Sequence, residues 1–458
     1  MNSVSPKVTI IGIGSIFFGR QAIWQMIKSP YLNGGTLGIV DTNPTVCEKF
    51  ARLAKEVAEH EGVKLKIEAS TNRRDVLKGS DFVILSFAKD TIAYRELDCA
   101  VSLKYGIRMC SGDTVGPGGI FRTLREFPVI MQCIDDVREL CPDAWVINYI
   151  NPTAAHGIGL MRYASDVKSF ALCDGQHMPM YKKKHAVMAG IIKDESEFTP
   201  EIDRDFVMET AGVNHFTWMI KAEYKGENVM PKIAEFKKTD IIPGSDGEKD
   251  AKALNNHLIG YELYKVFGCF PTTIGHTKEY IPFWQGRGIL PSNIPELAIW
   301  YADGRRERTK KVFEDVDNFL NGTTPIGEYM TTYGRDHATD IVEAMVSGKT
   351  KEYYINTANR GAVPNMNDDA FLELKCFVNC KGIFPQKISE MPRGVRGLSE
   401  ALLDSHELAV KAAVECDRDI LLRAMLTDPL INSIEDAKAI MDELLEAEKG
   451  ALPAKWFK

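Results

Sequence analysis

Two short runs, Cys173-Asp174-Gly175-Gln176-His177 and Ala211-Gly212-Val213-Asn214-His215-Phe216, place metal-binding and proton-moving groups directly after strand-like segments. A soft thiolate and an imidazole from these two runs together suit a divalent transition metal and leave positions open for substrate oxygens. Their separation is not a zinc-finger spacing, and a lone cysteine or histidine is more often a packing residue, so spacing alone leaves both readings open. A third run, Ser111 to Arg125, is rich in glycine and carries Asp113, Arg122 and Arg125. Glycines let backbone approach a ligand closely while the charged groups bind it. The plainer reading is a surface turn leading into a helix with exposed arginines. In Asn148-Tyr149-Ile150-Asn151-Pro152, two asparagines follow a buried strand and could either bridge ligand hydroxyls or satisfy the turn's own backbone. Asn151 has the better claim to a ligand, because the turn before Pro152 points it outward.

Gly12-Ile13-Gly14-Ser15-Ile16-Phe17 stands at a strand-to-helix junction, where backbone N–H groups and a helix dipole favour a pyrophosphate. Phe17 occupies the third position of the glycine fingerprint, which leaves the motif incomplete. Asp41 closes the next strand, where a carboxylate accepts from an adenosine ribose hydroxyl and repels a 2′-phosphate. The alternative is a tight turn with no ligand.

These residues need a framework, and the first half supplies one. Lys7 to Ile13, Thr36 to Val40, Lys64 to Glu68, Asp81 to Phe87 and Ala144 to Tyr149 read as strands. They alternate with helical stretches at Ile16 to Ile27, Cys47 to His60 and Val129 to Leu140. That alternation predicts an α/β fold whose N-terminal half is a Rossmann-like, doubly wound parallel sheet. The second half predicts an α+β domain beginning near residue 170: strands at Asp205 to Glu209 and Phe371 to Val378, a solvated insertion at Glu223 to Lys252, and helices over Ser399 to Glu448. The expected domains are thus 1–170 and 171–458.

The 458 residues carry 56 Lys and Arg against 63 Asp and Glu, a net charge of -7 that argues against a general nucleic-acid binder. No apolar run approaches the roughly 18 residues of a membrane span. Met1 to Lys7 leads into a strand without a signal-peptide core. The ten cysteines form no regular framework, which suits free thiols in a reducing compartment. A cytoplasmic enzyme is expected.

Taken together, these motifs resemble those of the NAD- and divalent-metal-dependent glycoside hydrolases of family four, which include α-galactosidases, α-glucosidases, α-glucuronidases and α-galacturonidases. The resemblance runs nearly end to end: the glycine turn with Asp41, the Asp113 segment, Asn151-Pro152, Cys173, Gly212-Val213-Asn214-His215, and Asn356 to Gly361. His276-Thr277-Lys278-Glu279-Tyr280-Ile281-Pro282 is similar to a stretch of the galactosidase and uronidase branches. The resemblance implies hydrolysis through oxidation of sugar C3 by NAD+, deprotonation of C2, elimination at C1, addition of water and return of the hydride. It places Cys173 and His215 as metal ligands, Asp174 as the acid, and His276, with Tyr280 beside it, as the C2 base. Asp113, Arg122, Asn151 and Asn214 are the expected substrate contacts, and Gly12, Gly14, Ser15, Ile16, Asp41, Ser86, Asn148 and Asn359 the expected cofactor contacts. NAD+ and Mn2+ are the implied cofactors, an α-linked hexoside or hexuronide the implied substrate, and a homodimer or homotetramer the implied assembly. A net sugar 3-dehydrogenase and a nucleotide-binding regulator are the rival functions.

Overall fold

The computed structural model describes residues 5–173, 180–239, 256–285, 297–327 and 336–458. Short β-branched runs in the first half form β1 (Lys7–Ile11), β2 (Thr36–Val40), β3 (Lys66–Ser70), β4 (Phe82–Leu85), β5 (Trp145–Asn148) and β6 (Lys168–Ala171). Each pairs in parallel with its neighbours, in the spatial order β3-β2-β1-β4-β5-β6. β4 is buried along its whole length, as helices on both faces of a parallel sheet require. The doubly wound half expected from the alternation of strands and helices is therefore present.

The sheet does not stop at residue 170. β6 pairs with β11 (Lys351–Ala358) through Ala171 and Asn356, and the sheet continues antiparallel. Next come β12 (Phe371–Asn379), then β7 (Phe206–Val213), β8 (Phe216–Tyr224) and β10 (Phe270–Pro271). β13 (Gly382–Pro385) pairs with β12, and β9 (Glu227–Asn228) with β8. One main hydrophobic core follows this sheet through both halves, and a smaller one lies beneath Phe206, Met219 and Tyr354.

Three elements differ from expectation for physical reasons. The helix expected from Val129 runs from Gly116 to Leu140 with Pro128 inside it, and its glycine-rich first turn is buried against other elements rather than exposed. The expected insertion contains a helix, Met230–Thr239, because Met230, Ile233 and Ala234 pack into the smaller core. The helix after the glycine turn begins at Gly19 rather than Ile16, leaving Ser15 to Phe18 in the turn. The C-terminal region is helical as expected, in three pieces: Arg393–Glu415, Arg418–Thr427 and Ile434–Ala447. Among the described residues, no helix is long and apolar enough to cross a membrane.

Candidate active site

Parallel strands deliver their carboxyl ends to one edge, and that edge is where the candidate residues collect. Gly12 follows β1, Asp41 follows β2, Ser86 follows β4 and Cys173 lies just beyond β6. These four line one cavity of about 910 Å³, together with Gly14, Ser15, Ile16, Asp113, Arg122, Asn151, His215 and His276. A single space thus joins the glycine turn to the cysteine–histidine pair.

At the glycine end, Gly12 has φ +93°, and a side chain there would meet the Ser86 carbonyl at 2.7 Å. The close helix–strand packing that the third fingerprint glycine normally permits is supplied by Gly19, where a Cβ would stand 1.9 Å from the Ile13 carbonyl oxygen. The motif is thus lengthened rather than truncated, and Phe17 and Phe18 line the cavity from the extra residues. Asp41 accepts from the Gly14 N–H (3.0 Å) and the Asn43 N–H (3.0 Å), which fixes its carboxylate at the cavity wall. Phe18 stacks on Tyr149 at 3.9 Å, and the Tyr149 hydroxyl accepts from the Ala338 N–H.

At the other end, His215 sits in the two-residue turn between β7 and β8 with φ +65°, a left-handed conformation uncommon outside glycine. Two supports hold it there: Thr277 Oγ1 donates to the His215 carbonyl (2.9 Å) and Tyr280 donates to the Asn214 carbonyl (3.1 Å). His215 Nε2 lies 3.2 Å from Cys173 Sγ. His276, on the short helix Ile274–Thr277, stacks on His215 with ring centroids 4.0 Å apart. Burial, reinforced by His276, holds His215 well below its ordinary pKa, so the imidazole stays neutral with a lone pair to offer. Among the described residues, its buried Nδ1 has no hydrogen-bond partner. A thiol beside a neutral imidazole, both facing a cavity, fits a divalent transition ion, whose bonds of about 2.1–2.3 Å reach both atoms.

Behind this pair stands a buried charge cluster. Asp113 accepts from Arg122 (3.0 Å), Ser111 Oγ (3.0 Å) and Asn151 Nδ2 (3.4 Å), and lies 3.5 Å from Arg95. Burial alone would raise its pKa, but the Arg95 and Arg122 guanidiniums outweigh that and keep it ionised. Glu279 accepts from the Ser111 N–H (2.6 Å) and Gly112 N–H (3.3 Å), and burial pushes it up to about 7. The ligand atoms of Asp113, His276 and Glu279 come within 4.8 Å of one another.

Four expected contacts lie elsewhere. Asn148 spends its side chain on both backbone groups of Ile150, as a turn asparagine does. Asn359 closes its own loop through Val363 and Met366. Asn214 faces Glu373 across 3.5 Å in the interior. Tyr280, expected beside His276 as a base, is buried beneath the His215 turn, and burial lifts its phenol well above 10, where it stays protonated. None of the four lines the cavity. Asp174 lies outside the described residues. Sequence reading missed Arg95, whose Nε and Nη2 clasp Ser111 and whose guanidinium lies over Trp300 at 4.6 Å. Glu279 was visible within its motif but unassigned, and Arg305 and Arg308, on a distant helix, gave no local signal.

Residues 7–188 match the family 4 glycosyl hydrolases, and residues 210–431 match the C-terminal domain of that family. A Bacillus subtilis protein named as a probable 6-phospho-β-glucosidase is 30% identical over 466 residues, which span 98% of this chain and 97% of that one. The chain is a family 4 glycosyl hydrolase. This family 4 hydrolase is also 27% identical to a Bacillus subtilis α-galactosidase, across 98% of this chain and 99% of the relative. An α-galacturonidase of Thermoanaerobacterium saccharolyticum is 25% identical, across 96% and 95%. The fold is that of a 6-phospho-α-glucosidase from gut microorganisms, solved in complex with NAD and Mn2+: TM-score 0.78 at 22% identity, covering 98% of this chain and 99% of that chain.

Proposed function

We propose that this glycosidase hydrolyses α-linked hexosides or hexuronides (an α-galactoside, α-galacturonide or α-glucuronide) using NAD+ and Mn2+. The observation that carries the reading is the single cavity running from the glycine turn and Asp41 to Cys173, His215 and His276. A dinucleotide laid along it brings its nicotinamide towards the same sugar that the cysteine–histidine pair faces. When bound, NAD+ supplies a reversible hydride acceptor for C3, and the metal a Lewis acid for the C2 and C3 oxygens.

The chain's own residues divide the remaining work. Cys173 and His215 hold the metal. Asn151, Asp113 and Arg122 orient the ring hydroxyls, with Arg95 and Ser111 fixing Asp113 behind them. His276 removes the C2 proton, a role supported by its place on the cavity wall above His215. Tyr280 positions the His215 turn instead of reacting. Asp174 protonates the leaving oxygen. Elimination of this kind requires a C2 proton but no carboxylate attack at C1, unlike two-carboxylate glycosidases.

The test is a panel of aryl α- and β-glycosides and glycuronides, assayed with nucleotide-stripped enzyme and Mn2+. Hydrolysis of the α-galacto or α-hexurono members should vanish without nucleotide and return with NAD+, and NADP+ should restore it poorly because of Asp41. Turnover that persists in nucleotide-free enzyme contradicts the mechanism. Stoichiometric build-up of NADH with 3-keto sugar would instead mark a dehydrogenase.

A further inference from the structure

In a shorter fingerprint turn, the helix N-terminus follows directly and its N–H groups and dipole receive the cofactor's diphosphate. Here the helix starts at Gly19, five residues beyond Gly14, and its N-cap, Phe18, makes no side-chain capping bond. The displaced helix end leaves the turn short of positive charge. The space beside the turn is filled by side chains of a distant helix, Ala302–Leu320. Arg305 and Arg308 both lie over the Phe17 ring, at 4.7 and 4.5 Å from its centroid, and both line the cavity with Gly14 and Asp41. Three residues apart on a helix, they share one face. That helix is anchored against the helix Pro44–His60, which follows β2: Lys49 pairs with Asp317 (2.6 Å), Arg52 donates to the Leu320 carbonyl (2.7 Å), and Phe50 meets Phe313 edge-on.

We propose that Arg305 and Arg308, held against the Phe17 ring, are the residues that bind the diphosphate of the dinucleotide cofactor. The inference rests on the reading of this cavity as a dinucleotide site. A guanidinium is weakly hydrated and planar, so it can stack on an aromatic ring and still offer two parallel N–H donors to phosphate oxygens. Phe17 thereby has a reason to stand where a shorter turn would have glycine: it is the platform for the charges that take over from the helix end.

Calorimetry on the full-length, nucleotide-stripped enzyme separates the possibilities, with NAD+, ADP, adenosine and NADP+ as probes. R305A/R308A should weaken NAD+ and ADP by roughly 30-fold or more and leave adenosine within about twofold, since only the phosphate contacts are lost. R305K/R308K should recover part of the ADP affinity, because the charge is kept without the planar fork. The wild-type salt dependence of ADP binding should flatten in the alanine variant. Unchanged NAD+ affinity in R305A/R308A overturns the proposal. So does an equal fall for adenosine, which would make the arginines a cover for Phe17, and so does a loss confined to NADP+, which would make them a 2′-phosphate site. Wild-type enzyme that binds none of the four probes would refute the dinucleotide reading itself, a result distinct from failure of the arginine assignment.

Discussion

The two ends of the cavity are built by opposite strategies. The turn and the carboxylate of the glycine end come from one contiguous stretch, Gly12 to Asp41, held by two neighbouring parallel strands. The other end draws Asp113, Asn151, Cys173, His215 and His276 from five separate segments, joined across both the parallel and antiparallel parts of the sheet. A site assembled from contiguous chain adjusts by degrees, because a change alters one turn. A site assembled by convergence depends on every segment arriving together, and its strained and buried members have no slack. The left-handed His215, pinned from below by Thr277 and Tyr280, is the clearest case.

The contrast predicts different losses at the two ends. Cys173→Ser and His215→Ala should each lower kcat by roughly 1,000-fold, since a bound divalent ion supplies several kcal/mol of transition-state stabilisation. NAD+ affinity, measured by calorimetry, should hardly move in either variant. Mn2+ should rescue chelator-treated wild type far better than either mutant. If both variants keep wild-type turnover and metal content, these two residues are packing residues and the convergent end is not a metal site.

A smaller loss is expected from Gly19→Ala at the contiguous end. The new Cβ would collide with the Ile13 carbonyl, so the helix must shift, and overpacking of this kind costs about 1–3 kcal/mol. Thermal melting should fall accordingly, and the KM for NAD+ should rise while kcat at saturating NAD+ stays near wild type. A kcat loss as deep as that of Cys173→Ser would show that the two ends are not separable.

The contiguous end was the legible one. Runs such as Lys7 to Ile11 and Phe82 to Leu85 are read from composition because strands buried on both faces must be apolar throughout. Asp41 could be placed from its position after β2 alone. What could not be read there was the length of the turn, because Gly19's function depends on the Ile13 carbonyl packed against it. At the convergent end the motifs were visible as segments, but not which side chains face inward. Asn148, Asn214 and Asn359 look like ligand contacts in sequence, yet their backbone surroundings claim them. Tyr280 and His276 lie four residues apart in one motif, and only the packing beneath the β7–β8 turn separates a support from a cavity residue. Arg95 carried no signal because its partner, Ser111, is 16 residues away and the clasp is tertiary.

The smallest effect on turnover is expected at the edge of the convergent end. Asp428, in the C-terminal helical region, accepts from the Gly116 N–H (2.8 Å) and the Leu430 N–H (2.9 Å), anchoring the helix that carries Arg122. Burial raises its carboxyl to about 6, above an unfolded value near 3.9. The folded state therefore holds this proton more tightly, so the contribution is fully present below about pH 4 and is lost as pH rises through 6. At 1.36 kcal/mol per pH unit, the change is at most on the order of 2–3 kcal/mol. Denaturant melts from pH 4 to 7 should show this slope in wild type and a flatter one in Asp428→Asn, with kcat little altered. Equal slopes would mean that Asp428 titrates alike in both states.

The central claim is that both ends act on one sugar, with hydride leaving C3 and a proton leaving C2. Hydrolysis run in deuterium oxide with NAD+ and Mn2+, followed by NMR of the released sugar, tests it most directly. Deuterium should appear at C2, placed there by the base on the cavity wall, and His276→Ala should abolish that incorporation along with hydrolysis. Rapid hydrolysis by the wild-type enzyme that leaves only protium at C2 across a range of pH, with no rate effect from substrate deuterated at C2 or C3, would contradict the account and point to direct displacement at C1.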